Sequence, residues 1–137
     1  MVDSLEAWQQ TVALANASGY GAIVTGLYLS VRDRDGRVVE ENRMITWTSA
    51  NTPVPLFCFW DWQAGVDKAI GGLVLSANTQ GEAAADIITQ VLEHGVKPTA
   101  IFPRIAQQGE YVFSRAQLKR FKLQPPTEIA KRARFVD

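Results

Sequence analysis

Nucleophilic catalysis needs a Ser, Thr or Cys beside a base that is most often histidine. This chain holds one cysteine, Cys58, and one histidine, His94, so a single Cys–His pair is available to it. Cys58 lies inside Leu56-Phe57-Cys58-Phe59-Trp60, the most apolar run of the sequence, where burial raises a thiol pKa and removes its reactivity. His94 is explained by its place at the end of a helix, where a cationic side chain suits the dipole. Neither zinc-type Cys/His spacing nor a glycine-rich phosphate loop occurs. Asp33 and Asp35 begin like a calcium loop, but the later ligands are missing and Arg32, Arg34 and Arg37 would repel a cation. No catalytic residue, metal or cofactor is expected. An enzyme would have to work through carboxylates alone, and Asp33, Asp61, Glu82 and Asp86 are the acids it would draw on.

Charge is where the sequence points to a partner. The 137 residues sum to zero net charge, yet residues 1–96 hold five basic and eleven acidic side chains, and residues 97–137 hold nine and three. Segregation of this kind steers association. Arg115, Lys119, Arg120 and Lys122, followed by Lys131, Arg132 and Arg134, concentrate the cations, and Tyr111, Phe113 and Phe121 are interleaved with them. Those seven basic residues and Tyr111 are the candidate partner-binding residues. A protein partner is expected first. Nucleic acid is the second reading, because cations mixed with aromatics suit phosphate tracking and base stacking. A neutral overall balance and an amphipathic helix whose aromatics pack inward argue against it. The blandest alternative has the basic tail folding back on its own acidic domain.

These residues need a scaffold, and the length suits one core. No apolar stretch approaches the roughly 18 residues of a membrane helix, and Met1-Val2-Asp3-Ser4-Leu5-Glu6 lacks the basic start of a secretory signal. A soluble, cytoplasmic protein without membrane contact is expected.

Asp3-Ser4 with Glu6 opens a helix along which Leu5, Trp8, Val12 and Ala15 share a stripe that ends at Gly19. From Ala22 to Arg32 the period changes to two, with Ile23, Leu27, Leu29 and Val31 on one face, and Asp35-Gly36 predicts a hairpin into a strand ending near Trp47. Ser49 to Pro55 reads as a loop. Leu56 to Trp60 reads as a central strand covered on both faces. Asp61 to Ile70 keeps helical spacing, with a wide hairpin as the alternative.

The box Thr79-x-x-Glu82 starts a helix whose apolar stripe is Ala84, Ile87, Ile88, Val91 and Leu92, closed by His94-Gly95. Short strands at Pro98–Phe102 and Glu110–Phe113 flank a turn at Gln107-Gln108-Gly109. Ser114-x-x-Gln117 opens another helix, and Thr127 a last one after Pro125-Pro126.

The expected architecture is a single α+β domain over residues 1–124 with a basic helical extension at 125–137. Its sheet should be mainly antiparallel, with an N-terminal helix, the Glu82–His94 helix packed across the sheet, and short basic C-terminal helices. The expected function is a small non-enzymatic binding module: an adaptor, inhibitor or accessory subunit.

Overall fold

Ser4 caps the first helix, α1 (Leu5–Ala13), its hydroxyl accepting from the Ala7 N–H at 3.2 Å. That bond satisfies one of the donors a helix start leaves free. A computed structural model describes residues 4–103 and 109–137. After α1 come β1 (Ile23–Thr25), α2 (Glu41–Asn51), β2 (Leu56–Cys58), β3 (Gly71–Val74) and α3 (Ala77–Leu92). The chain closes with β4 (Glu110–Phe113), α4 (Arg115–Arg120), α5 (Thr127–Ala130) and β5 (Arg134–Phe135). The domain is α+β, with two small sheets.

The mainly antiparallel sheet is corrected by the pairing. β1 runs parallel to β2, β3 antiparallel to β4, and β4 parallel to β5. Two bonds of 2.7 Å, Ile70 N–H to Leu56 O and Leu75 N–H to Phe59 O, join β2 to β3 and link the two sheets. The hairpin accounts for the difference. A turn forms there but not the type I′ turn that Asp35-Gly36 suggests, which needs positive φ at both central residues: only Gly36 takes one, 75°, and the Asp33 carboxylate accepts from the Asp35 and Arg37 N–H groups at 2.9 Å. Its arms shrink to the single bridge Arg32–Val38, because Glu40 accepts from the Asn42 and Arg43 N–H groups at 2.8 and 2.7 Å and so starts a helix instead. The expected strand to Trp47 is therefore α2, which buries Met44, Ile45, Thr48 and Ser49. A helix between β1 and β2 is the crossover that a parallel pair requires.

Other expectations change for similarly local reasons. Beyond β1 the period-two phase fails, leaving Tyr28 buried and Leu27 and Leu29 exposed. Asp61–Ile70 forms one 3-10 turn, Asp61–Gln63, rather than a helix, and Pro98–Ala100 is a 3-10 turn rather than a strand. The predicted turn residues Gln107 and Gln108 lie outside the described residues. The basic residues after Pro126 are not on a helix: Lys131 and Arg132 follow α5, and Arg134 sits on β5. Parallel pairing of β5 with β4 packs this segment onto the body.

One face of the sheets buries Leu56, Cys58, Val74 and Val112 together with Met44 and Ile45 of α2, with Leu5 and Trp8 of α1 packed against them. Trp8 donates its indole N–H to Thr48 Oγ1 at 2.8 Å and meets Tyr28 edge-on, ring centroids 5.4 Å apart. Tyr28 in turn meets Trp62 edge-on at 6.3 Å. The other face buries Ile70, Phe113 and Leu118 against Phe57, Phe121, Ile129 and Phe135. Because the two cores are unequal, β2 is not equally covered. Leu56 and Cys58 are buried, Phe57 is half-buried and Phe59 is exposed.

The expected packing of the long helix across the sheet is corrected too. α3 starts one turn before the Thr79 box, and Glu82 accepts from Asn78 Nδ2 at 3.0 Å. At its far end Gly95 adopts φ 65° while the Val96 N–H reaches Gln90 O at 3.0 Å, a left-handed closure as read. Yet no residue of this 16-residue helix is buried. Of its apolar stripe, Ile87 and Val91 are half-buried and Ala84, Ile88 and Leu92 are exposed, so no other described element covers it fully.

Candidate binding surface

The cations of the C-terminal segment divide into those tied to their own domain and those that are not. Ser114 caps α4 through a 3.2 Å bond from the Gln117 N–H. Its hydroxyl donates to Asp137 at 2.6 Å, and that carboxylate also accepts from the Arg115 N–H. The Arg115 guanidinium bonds the Asp137 backbone oxygen and lies over the Phe135 ring, 4.4 Å from its centroid. Arg134 pairs with both carboxylate oxygens of Glu110 at 2.9 and 3.0 Å, which holds the Glu110 carboxyl below its ordinary pKa. Lys131 pairs with Glu128 at 2.9 Å.

Among the described residues, Lys119, Arg120, Lys122 and Arg132 have no carboxylate in ion-pairing range. Arg120 bonds Ser49 O at 2.7 Å and lies 4.7 Å over Phe121; Arg132 lies 5.7 Å over Tyr111. Phe113 is buried, and Tyr111 and Phe121 are half-buried beneath these guanidinium groups. The three rings that could have offered stacking faces pack inward or carry an arginine.

Lys122 has the only positive φ of any non-glycine residue among those described, 54°. It follows the Phe121 C-cap in the position that glycine usually fills, with the Leu123 N–H bonded to Leu118 O at 2.9 Å. The next residue, Leu123, lines an apolar cleft of about 240 Å³ together with Phe57, Leu118, Pro125, Pro126 and Ile129. Sequence reading missed this cleft, although the stiff Pro125-Pro126 link that lines it was its visible signal. Gln117, buried beneath, sends its amide to Ser49 Oγ and Val66 O and anchors α4 to α2 and the loop before β3.

The groups considered for catalysis are not assembled. Cys58 is buried, contacts the Trp60 carbonyl at 3.4 Å, and burial pushes its pKa up to about 12. His94 is exposed past the end of α3. Among the described residues no three His, Cys, Asp or Glu side chains converge, so Asp33, Asp61, Glu82 and Asp86 form no cluster. Compared with known proteins, the chain matches no family model, no curated protein and no solved structure. Among the described residues no helix is long and apolar enough to cross a membrane.

The thiol yields a direct expectation. At pH 8 Cys58 should resist alkylation in the folded chain and react at the ordinary rate in denaturant. A fast native reaction, followed by mass spectrometry, would place it outside the core. Because folding favours the neutral thiol, its contribution to stability should be intact below pH 9.0 and fall away as pH rises toward 12.

Proposed function

We propose that this chain is a small non-enzymatic binding module that recognises a protein partner through its α4–α5 end. The observation that carries the reading is the apolar cleft flanked in sequence by Lys119 and Lys122. An apolar pocket that accepts one anchor side chain, with charges nearby that steer the partner, is a usual anatomy of a protein interface. The fitting ligand is an acidic segment bearing one apolar anchor.

Nucleic acid remains the second reading, favoured by Lys119, Arg120, Lys122 and Arg132, which have no carboxylate in ion-pairing range among the described residues, but base stacking finds no free ring among Tyr111, Phe113 and Phe121.

Lys122 makes the reading testable. A lysine in the left-handed region costs about 1 kcal/mol relative to glycine, so Lys122→Gly should raise thermal stability. On the proposed reading it should also lose partner binding, most clearly when combined with Lys119→Glu. The measurement is quantitative affinity capture at low and high salt with wild type and Lys119→Glu/Lys122→Gly, alongside titration of labelled single- and double-stranded nucleic acid. A protein retained by wild type at low salt and lost by the variant supports the proposal. An unchanged set of retained proteins overturns it, and salt-sensitive nucleic-acid binding that the variant abolishes moves the assignment to the second reading.

A further inference from the structure

β1 pairs with β2 alone. The Ile23 N–H donates to Pro55 O at 2.9 Å, so by the alternation of a strand the N–H and C=O of Val24 point away from β2. Among the described residues no strand, bridge or backbone hydrogen bond lies on that outer edge, and Ala22, two residues earlier, makes no backbone hydrogen bond either. Both residues are exposed, Val24 at 54%. Against this edge lies an apolar groove of about 260 Å³ between α1 and β1. Trp8, Val12 and Ala15 wall it from α1 and its end, and Tyr20, Ile23 and Val24 from β1 and its approach. Both walls are held in place. The Trp8 indole is fixed by its bond to Thr48 and its edge-on contact with Tyr28, while Gly19, at φ 83°, turns the chain so that the Tyr20 N–H reaches Ala15 O at 3.0 Å. None of the residues lining the groove carries a charge.

We propose that β1 receives an extended, uncharged segment of a partner protein as an added strand, with one of its apolar side chains seated in the groove. The unmet groups name the occupant. A donor and an acceptor on one residue, repeated two residues along, match the spacing of another extended backbone, whereas a small apolar ligand would leave both without a partner. The uncharged lining selects against the acidic segment assigned to the α4–α5 cleft, and no residue lines both surfaces. A second copy of this chain would offer β1 with α1 already alongside it, so two groove walls would face each other with nothing to fill them.

The test uses the full chain and an array of short capped peptides that alternate valine, isoleucine, leucine or phenylalanine with threonine or serine, read by amide NMR. At least one peptide should bind with an affinity that salt leaves unchanged, and the Val24 amide should become protected from hydrogen exchange when it does. N-methylating that peptide on one alternate set of amides, or on the other, keeps every side chain. One of the two forms should bind about tenfold more weakly, and the other about as well as the parent. Val24→Pro removes the edge N–H at a position where an edge strand tolerates proline, and should lose a similar factor, with circular dichroism confirming its fold. Lys119→Glu/Lys122→Gly should bind as wild type does, which separates this surface from the α4–α5 cleft. No binder in the array at millimolar peptide overturns the proposal, as does equal binding by both N-methylated forms. Shifts at Trp8 without protection of Val24 also overturn it and leave a pocket for a small apolar molecule. A free chain that already protects Val24 and self-associates in analytical ultracentrifugation overturns it in favour of a second copy.

Discussion

Replacing Gly71 with alanine is expected to unfold the domain or bring it to the edge of unfolding. Gly71 sits at φ 108°, and a Cβ there would lie 1.9 Å from the Val112 carbonyl oxygen. That atom is backbone, so no side-chain rotation relieves the overlap. The β3–β4 pair must part, although Gly71 is in register with Phe113 and Gly72 with Val112, and that ladder holds β4, and β5 beyond it, to the rest of the sheet. Backbone strain and overpacking each cost about 1–3 kcal/mol, and together they approach the lower end of the 5–15 kcal/mol that holds a typical domain folded. Gly21→Ala is the matched control, since nothing lies within 4 Å of its added Cβ and its φ is ordinary. Urea denaturation followed by circular dichroism should show a large fall in midpoint for the first substitution and almost none for the second. Equal midpoints would mean that β3 and β4 do not approach as described.

The second large effect is expected at Leu56, which is 1% exposed, against Phe59, which is 53% exposed on the same run of chain. Leu56→Ala removes a side chain enclosed by the larger core and should cost about 2–5 kcal/mol. Phe59→Ala should cost less than about 1 kcal/mol. Similar losses at both positions would restore the strand covered on both faces that five consecutive apolar residues suggest.

That contrast shows where the sequence was legible. Devices that act over three or four residues were readable, because their partners are neighbours: the Ser4 and Ser114 caps, the Asp33–Gly36 turn, and Gly95 closing α3. Devices that depend on distant chain were not. Glu40-Glu41-Asn42-Arg43 reads as an interrupted strand until one knows that Met44, Ile45, Thr48 and Ser49 face a common core, which makes Glu40 a helix cap. Parallel pairing of β1 with β2 and of β4 with β5 leaves no turn signal between partners. At the candidate surface the basic residues were all named, but their partners were not. Arg134 finds Glu110, 24 residues away, and Arg115 finds Asp137, 22 residues away. The cleft is lined by residues as far apart as Phe57 and Ile129, so Pro125-Pro126 signalled a break in the chain there but not what would gather around it. The stripe on α3 was read from periodicity, but its cover was assigned to the chain's own sheet, because periodicity reports that a face is apolar and not what lies against it.

The aromatic chain Trp8–Tyr28–Trp62 gives the molecule an optical handle. Rings fixed edge-on in an asymmetric setting produce near-ultraviolet circular dichroism, and that signal disappears when packing loosens even if the helices persist. Tyr28, lying between two indoles, should pass its excitation to them and emit little light of its own. Parting of α1 from the body would break the Trp8–Tyr28 contact and leave Tyr28–Trp62 in place, so a partial loss of the near-ultraviolet signal would time early opening without a label.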